Sequence, residues 1–407
     1  MGITSKRINN ILLFILVFFM VYDSARNYTH MPQFFGYIKD FIIYLWLFEL
    51  IYLKKIKEPF SNIGFYLILI LSFMWSWIGM LYPTSGYVNA VHPAIYILKQ
   101  NEFFILLFVF RNYYDFFSRE YMKYINLYIS FSVLLLFVTL IGVYVDNPLI
   151  SKTIISDNNV NMPDYANRIS LGQPAIASFS QLVALFFLLL CKKKNIKNII
   201  LSALCLLSVL LSTSITGIMS SICLLIFFAV YYLIIGSLSI KIKIVFGASA
   251  VLAFFIYFSQ TDFFYNNLMI AYLFVDNRID QFLYGTSIDP AMEARVNQTK
   301  YVIKTINDSV MGFVLGQGCN GVIIENSYYG VLLRYGVVGV LGYVIFFLSL
   351  LKKSVFEKKS LFLLSIIGIY LANWYTLDVL YIPTLSYTFS FFVMYCMYYA
   401  PRSVTKN

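Results

Sequence analysis

The chain has 407 residues, of which 60% are hydrophobic and only 12% charged, and its mean hydropathy is +0.77. That balance leaves too little polar surface to solvate a soluble globule of this size, so the chain reads as a polytopic membrane protein. The formal net charge of +11 is dispersed over seven short basic intervals rather than concentrated in one patch, so a nucleic-acid footprint is the weaker reading.

Apolar runs near the roughly 20 residues that cross a bilayer recur from end to end without strand-like alternation, so the spans are expected to be helices. They fall near 10–28, 36–53, 60–82, 93–110, 124–145, 173–190, 198–212, 214–235, 244–260, 327–351, 360–377 and 381–399. The whole chain, 1–407, then reads as one all-α integral membrane domain of about twelve transmembrane helices with two long external loops, 146–172 and 261–325, that carry short helices. Twenty of the 30 Lys and Arg lie in intervals on one side, and the positive-inside rule makes that side and both termini cytoplasmic. The first run is long, and Asp23-Ser24-Ala25-Arg26 makes a poor cleavage site, so it reads as a retained signal anchor. Acids collect on the opposite face, from Asp146 through Asp276 and Asp308 to Glu325. Chemistry is expected there.

Within the spans the costly groups are Glu49 and the cluster Lys99-Gln100-Asn101-Glu102, where Lys99 and Glu102 are spaced to neutralise each other on one helix. Such groups also suit a proton-coupled transporter. The first long loop closes on Arg168, which keeps its charge at any pH and presents a planar fork suited to phosphate oxygens; the alternative is an arginine snorkelling to lipid headgroups. In the second loop, Phe263–Val275 reads as an interfacial helix and Ala291–Ile306 as an amphipathic one carrying Arg295, Lys300 and Lys304. Gly312, Gly316, Gly318 and Gly321 then form a turn expected to be external and flexible, matching no nucleotide-binding fingerprint.

Glu325-Asn326 opens the tenth span. A partly desolvated carboxylate there can accept a proton from a hydroxyl, and either residue can instead cap the helix. Tyr328, Leu332 and Tyr335 continue on one face, Gly336 and Gly339 permit close helix contact, and Arg334 inside the span needs an acidic partner or a ligand phosphate. His30 and His92 are far apart, and the five cysteines offer neither a disulfide pair nor a zinc pattern; no metal or cofactor is expected. The 39 Phe and 34 Tyr are read as interfacial belts, with sugar-stacking platforms as the alternative.

In arrangement, residues 120–400 resemble the Wzy-type O-antigen polymerases and, more distantly, the O-antigen ligases. The resemblance rests on Arg168-Ile-Ser-Leu-Gly172 opening a span, Leu211-Ser-Thr-Ser-Ile-Thr-Gly217, a long external loop with Arg295, a Gly-x-Gly turn, and Glu325-Asn326-Ser327-Tyr328 ahead of Gly336-Val-Val-Gly339. Ligase-like members usually have His at the position of Glu325, and family members often have Arg where Ile215 stands. The first departure points toward a polymerase, and the second leaves the Ser-x-Thr-Gly segment without a catalytic role.

The resemblance implies a bacterial inner-membrane enzyme that joins undecaprenyl-pyrophosphate-linked oligosaccharide repeats on the periplasmic face, without a metal. Arg168, Arg295 and Glu325 are its expected catalytic residues, and Gly172, Asn326, Tyr328 and Arg334 its substrate-binding ones. The expected partners are the lipid-linked donor and acceptor glycans and membrane lipids, with room for a chain-length regulator. The alternatives are an O-antigen ligase acting on lipid A-core and a flippase for the lipid-linked repeat.

Overall fold

The computed structural model describes residues 3–23, 34–54, 56–81, 92–144, 174–192, 195–212, 214–239, 290–352, 358–375 and 377–399, with isolated positions between 241 and 257. Its elements are α1 (Ile3–Tyr22), α2 (Phe35–Tyr52), α3 (Ile63–Phe73) continued by a 3-10 turn (Trp75–Leu81), α4 (Pro93–Asn112), α5 (Tyr114–Tyr144), α6 (Pro174–Cys191), α7 (Ile196–Leu211) and α8 (Ile215–Ile235). Further along the chain come α9 (Pro290–Asn307), α10 (Val310–Leu315), α11 (Ser327–Lys352), α12 (Lys358–Trp374) and α13 (Pro383–Met394), the last widening into a π turn at Tyr395–Tyr399.

Among the described residues, five helices are long and apolar enough to cross a bilayer: Ile63–Leu81, Pro93–Asn112, Glu120–Ile141, Thr216–Ile234 and Ser327–Leu351. Four more apolar helices, Arg7–Tyr22, Ala175–Cys191, Ile196–Leu210 and Leu361–Trp374, are shorter. The chain is therefore an all-helical protein, among the described residues, with the apolar helices of a membrane protein. The span expected at 244–260 lies almost entirely outside those residues, as do the loop 146–172 and the Phe263–Val275 segment.

Side chains set many of the helix starts. Asn62, Asn195, Ser214 and Ser309 each accept a hydrogen bond from a backbone N–H in the first turn of the following helix, and Pro93 and Pro383 occupy first-turn positions where no donor is lost. The bundle then closes through small residues and stacked rings. A side chain added to Gly64 would meet the Gly342 carbonyl at 2.6 Å, so α3 and α11 approach backbone to backbone there. The close contact falls to Gly64 and Gly342 because Gly336 and Gly339 are turned elsewhere: Gly336 faces the Val314 carbonyl, and Gly339 leaves room for Tyr335. Many aromatics expected in interfacial belts are fully buried instead, with Tyr370 stacked on Phe389 at 4.0 Å and Tyr121 on Phe391 at 4.4 Å. Rings of this size fill the gaps between helices.

The expected glycine-studded helix after Glu325 is broken. Gly336 sits at φ 61°, ψ −161°, which divides α11 into a short first half ending at Tyr335 and a longer second half. The break leaves helix carbonyls without helical donors. The glycine turn fills that need, with the Gln317 N–H donating to the Leu333 carbonyl at 2.8 Å and the Gly318 N–H to the Arg334 carbonyl at 2.9 Å. Gly316, Gly318 and Gly321 take φ values of 71°, 72° and 84°, and side chains on the first two would strike the backbones of Arg334 and Gly79. The turn expected to be external and flexible is thus a packed plug. Cys319, which falls in the loop 261–325 expected to be external, is fully buried beside the Gln100 side chain at 3.3 Å.

Candidate functional site

Three consecutive residues at the start of α11 each hold a different part of the fold. Glu325 turns outward to α9: its carboxylate accepts from the Arg295 Nε at 2.8 Å, and its backbone N–H donates to Gln298 Oε1 at 3.0 Å. Arg295 and Gln298 are three apart on α9, so one helical face supplies both contacts. Asn326 is the cap, its Oδ1 accepting from the Tyr328 N–H at 3.0 Å and the Tyr329 N–H at 3.3 Å. Ser327, fully buried, donates to the Leu377 carbonyl at 2.6 Å and accepts from the Val379 N–H at 2.8 Å. It clips the connection between α12 and α13 to the start of α11. Tyr328 donates its hydroxyl to the Leu371 carbonyl at 2.9 Å and rests its ring near Trp374, 5.4 Å between centroids.

The expectation left Glu325 and Asn326 sharing base and cap. The structure separates them, since Asn326 satisfies the first-turn donors and the Glu325 carboxylate is left to Arg295. That ion pair is about one-third exposed on both sides. Solvent therefore reaches both partners.

Arg334 has its acidic partner. Its two terminal nitrogens donate to the Asp378 carboxylate at 3.1 and 3.2 Å, one of them also bonds the Tyr96 hydroxyl, and Tyr96 donates in turn to Asp378. The Arg334 and Asp378 side chains are each only 2% exposed, and the Tyr96 ring, stacked on Tyr381 at 5.0 Å, lies beneath the guanidinium. Gly330, one turn before Arg334, makes the space, since a side chain there would meet the guanidinium at 2.6 Å. Arg334 is therefore a structural ion pair at the core of the site. It does not line a substrate surface in this state.

Two further polar groups adjoin it through α4. Gln100 bonds the Tyr335 hydroxyl and donates to Ser72 at 3.2 Å, while Tyr335 and Ser76 share a hydrogen bond at 2.8 Å. Lys99 bonds Asp40 of α2 rather than mainly Glu102, which lies 3.9 Å away and accepts from Tyr387. Asp40 also faces Lys39, which reaches Asp23 at 3.0 Å, so five charged side chains from α2, α4 and the end of α1 form one largely buried cluster. The expected Lys99–Glu102 pair is real but secondary, because Asp40 offers a closer carboxylate from the neighbouring helix. Glu49 accepts from the Tyr113 hydroxyl.

Of the residues expected to act, the structure gathers Arg295, Glu325, Asn326, Tyr328 and Arg334 around the first half of α11. Arg168 and Gly172 lie outside the described residues. Sequence reasoning missed Gln298, Ser327's clip, Tyr96 and above all Asp378. Asp378 stands out in the sequence as the only acid after Glu357, set between two apolar runs, but nothing in the sequence ties it to Arg334. Among the described residues, no three His, Cys, Asp or Glu side chains gather as a metal site requires. Set against known proteins, the chain matches no family model and no curated protein sequence.

Proposed function

We propose that the protein is a membrane glycosyltransferase of the O-antigen polymerase type, joining undecaprenyl-pyrophosphate-linked oligosaccharide repeats at the external face of the bacterial inner membrane. The observation that carries this reading is the partly exposed Arg295–Glu325 pair, held by α9 on one side and by the capped start of α11 on the other. A departing pyrophosphate needs a cation, and an attacking sugar hydroxyl needs a base. An arriving phosphate competes with Glu325 for the Arg295 fork, and a carboxylate released from that fork can take the acceptor's proton. Bond making and breaking then balance: the acceptor oxygen attacks the anomeric carbon, its proton passes to Glu325, and the carrier pyrophosphate leaves toward Arg295. Arg168 is the second cation in this proposal.

The test is the glycan ladder of a deletion strain carrying the wild-type gene or none. Loss of a polymerase leaves a single repeat on the lipid core, whereas loss of a ligase leaves no repeat at all. A transport reading is favoured by the buried cluster of Asp23, Lys39, Asp40, Lys99 and Glu102, since charges inside a bundle are frequent in transporters. It predicts lipid-linked repeats trapped on the inner leaflet with no repeat on the core.

A further inference from the structure

The short helix α10 and the plug behind it carry an apolar surface that no part of the described fold covers. Val310, Met311, Phe313 and Val314 are 81%, 58%, 47% and 37% exposed, on a helix capped by Ser309. No charged residue occurs between Asp308 and Glu325. Four large apolar side chains together on a helix this short form a patch of the kind that marks a contact surface.

What covers the patch follows from where it is held. The Trp75 indole donates to the Gly316 carbonyl at 3.4 Å, and the Cys319 N–H donates to the Ser76 carbonyl at 2.8 Å, so the chain leaving α10 is fixed against the last turns of the apolar helix Ile63–Leu81. Those turns themselves expose Met74, Trp77, Met80 and Leu81. α10 itself packs on α11 and α9, and the chain leaving it lies against the end of a helix long and apolar enough to cross a bilayer. α9, packed beside α10, exposes Lys300 and Lys304, side chains of the kind that extend to headgroup phosphates. Apolar face, end-of-span position and flanking lysines together describe an interfacial helix.

We infer that α10 is a membrane-contact element, with Val310, Met311 and Phe313 seated among bilayer lipids at the headgroup–acyl boundary and Lys300 and Lys304 above them. The inference is independent of the reaction proposed above. Anchoring α10 in lipid fixes the plug, and through the plug the cap on the first half of α11.

The experiment places an indole on the patch. Phe313→Trp, and separately Val310→Trp, are reconstituted in dioleoyl phosphatidylcholine vesicles and in vesicles of its brominated analogue, and the fluorescence added over the wild-type protein is measured. Brominated lipid should cut the added emission by about half or more, since interfacial helices bury their apolar face roughly 5–10 Å into the boundary. Lys304→Trp should be quenched by aqueous iodide instead. If iodide quenches the indoles at 310 and 313 as it does the one at 304, the patch faces water and the inference fails. If neither quencher reaches them, protein covers the patch, whether residues 263–275 or a second copy, and the inference fails equally. Two positions guard against one variant misfolding.

Discussion

Arg295–Glu325 and Arg334–Asp378 are both arginine–carboxylate pairs near the start of α11, yet they sit in opposite surroundings. The first has side chains 35% and 31% exposed and one close contact at 2.8 Å; the second is 2% exposed on both sides and forked, with Tyr96 closing the group. An exposed pair contributes little to stability and can exchange partners, while a buried one penalises the loss of either member because the other is left as an uncompensated charge. Arginine inside an apolar run is therefore a poor indicator of where chemistry happens. Exposure separates the arginine that is free to meet a ligand from the one that holds the site together.

The comparison breaks most visibly at the buried pair. Asp378→Ala should cost about 3–5 kcal/mol, the usual penalty for stranding one buried partner, and be read as a collapse in folded yield or melting temperature in detergent. Arg334→Met combined with Asp378→Leu should recover most of that loss, because an apolar replacement of the whole pair leaves no charge stranded. If the double variant is no better than Asp378→Ala, the penalty does not come from the unpaired charge.

A smaller effect sharpens the boundary between the two pairs. Ser327→Ala removes both the donor to the Leu377 carbonyl and the acceptor for the Val379 N–H, and should cost about 1–3 kcal/mol by leaving buried backbone groups unsatisfied. Ser327→Thr keeps the hydroxyl and should retain more of the stability than Ala. Equal melting temperatures for wild type and Ser327→Ala would show that the clip is not needed to hold the Asp378 loop.

How far the sequence anticipates this arrangement can be judged residue by residue. The apolar helices are legible because a bilayer demands uninterrupted runs, and 93–110 and 214–235 fall close to α4 and α8. Arg334's need for an acid is legible from the cost of an unpaired charge among apolar residues. Asp378 as that acid is not, because its pairing depends on a loop 44 residues away being folded against α11 by Ser327. The glycine turn is misread for a related reason: glycines with positive φ suit a mobile loop and a tightly packed one equally, and only the broken helix at Gly336 shows which was needed. Asn326 and Glu325 could each cap a helix by chemistry alone, and Arg295 in another helix divides the roles.

The cap gives the next smaller effect. Asn326→Ala should cost about 1 kcal/mol, the typical loss for removing an N-cap side chain, and Asn326→Asp or Asn326→Ser should restore it. A loss as large as that of Asp378→Ala would mean that Asn326 has a second role.

The smallest expected change in stability belongs to the pair that carries the proposed chemistry, and it tests the account most directly. Arg295→Ala and Glu325→Gln, compared with wild type in one deletion strain and in one purified preparation, should each shift folding stability by less than about 1 kcal/mol while abolishing long-chain polymer. Arg295→Lys should rescue poorly, because a point charge does not reproduce the guanidinium fork. Full-length glycan from either Arg295→Ala or Glu325→Gln at normal expression, or a loss of stability as large as that of the buried pair, would contradict the account.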